Sequence, residues 1–140
     1  MYRILLVDDE ILVRDAIKEN IDWKSMDCQL VGDCENGKQA ADFVKSHPVD
    51  IVLTDILMPY MDGMALIRTA HALESTAEFV LVTAYEEFEV AQEAIGLGVF
   101  DYLVKPITIE DVMRVLERLS TKLGGTQEHM AEMSLRDQYP

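Results

Sequence analysis

Basic residues are what this sequence is short of. Its 140 residues carry 12 Lys and Arg against 26 Asp and Glu, for a formal net charge of -14 and an isoelectric point near 4.4. Binding to a phosphate backbone or an anionic membrane surface depends on clustered positive charge, so direct contact with nucleic acid or with such a membrane is excluded for this chain. Cysteine is scarce too, with Cys28 and Cys34 only. Two thiols do not make a disulfide framework, and both read as reduced and structural. No apolar run approaches the roughly 20 residues of a membrane span. The first residues pass from Arg3-Ile4-Leu5-Leu6-Val7 straight into acid, without the apolar region and cleavage site of a signal peptide, so the expected location is the cytoplasm. His47, His71 and His129 have no metal-ligand spacing and read as surface residues. A nucleotide-binding loop, a nucleophile elbow and a Cys-His array are all missing.

Apolar residues are plentiful, at 49% with a mean hydropathy of +0.05, enough for one core in a chain of this size. They fall into an alternating pattern. Short runs without period-2 alternation, as expected of strands covered on both faces, occur at Arg3–Val7, Gln29–Cys34, Ile51–Thr54, Phe79–Thr83 and Asp101–Val104. Between them lie helical stripes: Val13, Ala16, Ile17 and Ile21; Ala40, Phe43 and Val44; Leu66, Ile67, Ala70 and Leu73; Phe88, Ala91 and Ile95; and Ile109, Val112, Met113, Leu116 and Leu123. Asn36-Gly37 opens the second helix, Pro48 closes it, Asp62 is a candidate N-cap for the third, and Thr108 to Asp111 has the form of a capping box. Trp23 is expected to pack after the first helix. The pattern is strand then helix five times, which implies a doubly wound α/β fold: a parallel sheet with helices on both faces and right-handed crossovers. The folded domain is expected over 1–120, with 121–140 a linker or tail that holds a candidate helix at Met130 to Leu135.

In open parallel sheets, sites form beyond the carboxyl ends of the strands. Those ends carry Asp8 and Asp9, then Asp55, then Thr83, then Lys105. Carboxylates gathered within a few ångström repel one another unless a cation compensates them, and Mg2+ suits one or two carboxylates with the rest of its shell left to water and phosphate. A carboxylate beside such an ion can attack phosphorus, a lysine can neutralise a phosphoryl oxygen, and a threonine hydroxyl can donate to another. Together these groups describe a phosphorylation site.

Four segments in order, Leu5-Leu6-Val7-Asp8-Asp9-Glu10, Asp55-Ile56-Leu57-Met58-Pro59-Tyr60-Met61-Asp62-Gly63, Val82-Thr83-Ala84 and Tyr102-Leu103-Val104-Lys105-Pro106, resemble the receiver domain of a two-component response regulator. The resemblance covers residues 3 to about 120. It implies a flavodoxin-like three-layer fold with strand order 2-1-3-4-5, Asp55 as phospho-acceptor, and Mg2+ held by Asp8, Asp9, Asp55 and the backbone carbonyl of Leu57. It further implies Lys105 on the phosphoryl group, a cis bond between Lys105 and Pro106, and a switch pair of Thr83 and Tyr102. Leu57 and Tyr85 match the positions that tune phospho-lifetime in the family. Both are bulky and neither carries an acid or amide to orient water, so slow self-dephosphorylation is expected.

The wording of Asn36-Gly37 and of Thr83-Ala84-Tyr85-Glu86-Glu87-Phe88 is similar to regulators with an AraC-type helix-turn-helix output. A histidine kinase as phosphodonor, a transcriptional output outside these residues, and a homodimer through helix four, strand five and helix five follow from the same likeness. No turnover of an external substrate is expected. Two other readings stay in play: a small Mg2+-dependent phosphatase, which would bring a second acid where Leu57 stands, and a degenerate receiver acting as a scaffold, which would lack one of Asp8, Asp9, Asp55, Thr83 and Lys105.

Overall fold

The computed structural model describes residues 1–84 and 88–124. Strands and helices alternate along it: β1 (Tyr2–Val7), α1 (Ile11–Asn20), β2 (Cys28–Cys34), α2 (Gly37–Ser46), β3 (Ile51–Asp55), α3 (Gly63–Ala72), β4 (Glu78–Thr83), α4 (Phe88–Gly96), β5 (Asp101–Val104) and α5 (Ile109–Leu123). The strands form one sheet in the order β2-β1-β3-β4-β5, every neighbouring pair parallel. This is the doubly wound, flavodoxin-like order expected. The order reverses between β1 and β3, where Val7 lies beside Thr54, and that reversal opens a crevice at the carboxyl edge.

Successive strand residues face opposite sides, and two cores result. Leu5, Val7, Val52 and Leu81 meet α2 and α3 through Ala40, Leu66 and Ile67. Ile4, Leu6, Leu53 and Val80 meet α1 and α5 through Ile17, Val112 and Leu116. Burial on both faces explains why β1, β3 and β4 show no alternation in sequence. The helix starts are capped as read: Asn36 accepts from the Gln39 amide, Asp62 from the Ala65 amide, and Thr108 and Asp111 form a reciprocal capping box.

The stripes need correction in four places. Ala16 is exposed, and Arg14 takes the inward position on α1 beside Ile17. Leu73 caps α3 and is 41% exposed. Among the described side chains of α4, Ala94 is buried and Ile95 is half exposed. On α5 the buried set includes Val115 and Leu119, and the helix runs to Leu123. The side chains of Phe88 and Ala91, Tyr85, and the candidate helix at Met130 to Leu135 lie outside the described residues, as does His129.

Cys28 and Cys34 are buried free thiols, and burial pushes both pKa values up to about 11, away from reactivity. Trp23 Nε1 donates to the Lys18 carbonyl at 3.1 Å, packing the turn after α1. His47 and His71 are exposed. Among the described residues no helix is long and apolar enough to cross a membrane.

Candidate functional site

β1 stops at Val7 and hands the chain to Asp8, which is 3% exposed. Its amide donates to the Cys34 carbonyl at 3.0 Å, and its Oδ1 accepts from the Glu10 amide at 2.8 Å. Burial raises the Asp8 pKa to about 6; the Glu10 amide opposes the shift, the Asp55 charge adds to it, Lys105 opposes and Asp9 adds. Asp9 and Glu10 are exposed, and carboxylate oxygens of Asp8, Asp9 and Glu10 lie within 4.8 Å of one another. An all-oxygen set with one buried, charge-averse carboxylate fits a hard divalent cation, whose charge would remove the penalty on Asp8.

Asp55 ends β3, also 3% exposed. Its backbone is crowded by α3: the Gly63 amide donates to the Ile56 carbonyl at 2.7 Å, and a Cβ on Gly63 would come within 2.6 Å of the Asp55 carbonyl. Only glycine permits that approach of the helix. Gly37 allows a similar close approach at the start of α2, where its amide donates to the Met61 carbonyl at 3.0 Å and a Cβ would collide with that oxygen.

Lys105 reaches in from the end of β5, and its Nζ donates to Asp55 Oδ2 at 2.7 Å and stands 3.9 Å from a Glu10 oxygen. Partial burial lowers its pKa, but the hydrogen bond and charge of Asp55, with the charges of Asp8 and Glu10, outweigh this and the net shift is upward. The Lys105 amide donates to the Thr83 carbonyl at 2.7 Å, and its bond to Pro106 is cis. Thr83 is 1% exposed, and its Oγ1 donates to the Ala84 carbonyl at 3.0 Å. Tyr102 pairs with Leu81 in the sheet and packs half-buried against the core on the α2 and α3 side. Leu57 is 58% exposed at the rim.

The carboxyl edge thus gathers Asp8, Asp9, Asp55, Thr83 and Lys105. Two residues were not singled out from sequence. Glu10 belongs with Asp8 and Asp9, which the run of three acids could have signalled, whereas Asp55 lies outside that trio and is held by Lys105. Arg14 is buried under the same turn, and a charged residue on a helix gives no warning that it points inward.

A family model, the response regulator receiver domain, matches residues 4–117. The chain belongs to this family. Receiver domains are the phosphoacceptor modules of two-component signalling. Over 129 residues the chain is 36% identical to YesN of Bacillus subtilis, an uncharacterized transcriptional regulatory protein, covering 92% of this chain and 35% of YesN. It is 32% identical over 123 residues to the B. subtilis chemotaxis protein CheY, covering 88% of this chain and 98% of CheY. The receiver domain of AraT, a response regulator from Geobacillus stearothermophilus, superposes with a TM-score of 0.83 at 36% identity, covering 90% of this chain and 98% of that one. The receiver domain here spans 35% of YesN and no more than 48% of the staphylococcal regulators it matches.

Proposed function

We propose that Asp55 is the residue that accepts the phosphoryl group, in a receiver that switches a transcriptional output. The observation that carries this reading is the pairing of a buried strand-end carboxylate, Asp55, with Lys105 Nζ at 2.7 Å. A buried acid paired with a lysine, next to an acid trio, is arranged to exchange that partner for incoming charge. An Asp55 oxygen forms the new bond to phosphorus as the bond to the donor nitrogen of a kinase phosphohistidine breaks, and the imidazole leaves. Lys105 moves its hydrogen bond from the carboxylate to a phosphoryl oxygen, and Thr83 turns its hydroxyl from the Ala84 carbonyl to another. Tyr102 follows into the space beside Thr83, so that the β4 and β5 surface differs between the two states. Asp8 and Asp9, with Asp55 and the Leu57 carbonyl, would hold Mg2+, which would supply positive charge to offset the carboxylates and the phosphoryl oxygens.

A sensor histidine kinase is the proposed donor. The proposed output is DNA-binding and AraC-type, on the strength of YesN, described as a transcriptional regulatory protein, and of a solved regulator from Clostridium phytofermentans titled a two component transcriptional regulator AraC, 30% identical with a TM-score of 0.81. In the same reading residues 1–120 are the receiver and 121–140 lead toward the output, the protein is cytoplasmic, and no external substrate is turned over. The homodimer face is proposed at α4, β5 and α5, where Ile95 and Val104 are exposed apolar residues and the Arg118–Asp101 pair joins α5 to β5.

The full chain incubated with Mg2+ and acetyl phosphate should gain the mass of one phosphoryl group, and Asp55→Asn should gain none. Release of phosphate over many turnovers would instead favour a phosphatase, and no uptake a scaffold.

A further inference from the structure

Arg14 is buried on α1, its side chain 11% exposed. Its Nη1 donates to the Asp8 carbonyl at 2.5 Å, and its Nε donates to Asp33 Oδ2 at 3.2 Å, a carboxylate that Lys18 also approaches at 3.5 Å. Burying a guanidinium is costly unless its donors are used, and here they are used on a backbone oxygen of the acidic turn and on an acid at the end of β2. The peptide unit is planar, so the Asp8 carbonyl and the Asp9 amide share one rigid plane. Holding that oxygen therefore limits rotation at both acids. The Asp8 amide is tied to Cys34 and Asp8 Oδ1 to the Glu10 amide, but the exposed Asp9 depends for its direction on the plane that Arg14 holds. Asp33 offsets the positive charge of Arg14, so the tether does not place an unpaired cation under a cation site.

We propose that Arg14 is a positioning residue for the divalent-cation site, clamping the Asp8–Asp9 peptide so that the carboxylates of the turn converge before the ion arrives. The proposal rests on the reading of Asp8 and Asp9 as the Mg2+ ligands. Groups that orient metal ligands typically change affinity by about 10- to 100-fold when removed, and Arg14 is expected to act in that range. The guanidinium fork is needed to reach the carbonyl and Asp33 together, so a lysine with a single ammonium should restore only some of the effect.

The test measures Mn2+ binding to the metal-free full chain by electron paramagnetic resonance, counting free ion, at a temperature well below the unfolding midpoint of each variant. Arg14→Met should weaken Mn2+ binding by about tenfold or more, Arg14→Lys by less, and Asp33→Asn by a smaller factor still. Asp9→Asn is the control for the site itself. If Asp9→Asn abolishes binding while folded Arg14→Met binds within twofold of wild type, the clamp is overturned and the site stands. If Asp9→Asn leaves binding intact, the ligand reading fails and the clamp falls with it. Should Arg14→Met not fold, Asp33→Asn decides: weakened binding supports the clamp and unchanged binding overturns it.

Discussion

Asp8 is ionised at neutral pH at a cost, because burial raises its pKa from 3.8 to about 6. The folded state then holds the proton more tightly than the unfolded chain does. Its contribution favours folding below pH 3.8 and is lost as pH rises through about 6. Asp8→Asn removes the titrating group while keeping an acceptor for the Glu10 amide. It should raise metal-free stability at pH 7 by on the order of 1–3 kcal/mol, with a smaller gain at pH 5. Urea unfolding with a chelator at the two pH values checks this, and millimolar Mg2+ should stabilise the wild type and not the variant. Leu57 poses a second question at this scale. Its exposed apolar side chain cannot orient a water for attack on an acyl phosphate. Leu57→Asn combined with Tyr85→Glu is expected to shorten the phospho-lifetime by about tenfold or more, read as loss of the phosphorylated mass after dilution; an unchanged lifetime would count against this. The strand-end polar residues were legible because an acid, threonine or lysine after an apolar run is conspicuous. Arg14 was not, since nothing in a helical pattern separates a solvated arginine from one that snorkels inward to a carbonyl.

At the scale of elements, two glycines on helices make opposite predictions. Gly63 opens α3 against the Asp55 carbonyl, and an added Cβ has to displace backbone. Gly63→Ala should destabilise the protein by about 1–3 kcal/mol and, on the proposed role of Asp55, slow phosphoryl uptake, because the Asp55 peptide must shift. Gly96 ends α4 with no atom within 4 Å of an added Cβ. Gly96→Ala should be neutral or stabilising by up to about 1 kcal/mol. Denaturant unfolding of the pair separates crowding from helix propensity. Helix starts were readable because caps are local chemistry: Asn36, Asp62 and Thr108 each satisfy an amide within three residues. Inward faces were less so. Among the described side chains of α4, Ala94 is buried and Ile95 exposed, a tertiary outcome that residue size does not report.

For the whole molecule, five apolar runs and five stripes suffice to imply a doubly wound sheet, but they leave strand order open, and the order came from likeness to a family. That order matters to function. It places β1 beside β3 at the reversal, so Asp8 and Asp55 face one crevice, and it leaves β4 and β5 on the far side to carry Thr83 and Lys105 toward it. The strongly acidic chain meets positive charge at this edge through Lys105, which stands beside Asp55 and Glu10. The central claim is that this group is attached to Asp55. The most direct measurement treats the full chain with Mg2+ and acetyl phosphate, reduces the product with borohydride, which converts an aspartyl phosphate to homoserine, and maps the peptides by mass spectrometry. Homoserine at position 55 alone is the predicted result; homoserine at position 8 or 9, or at no position, would contradict the account.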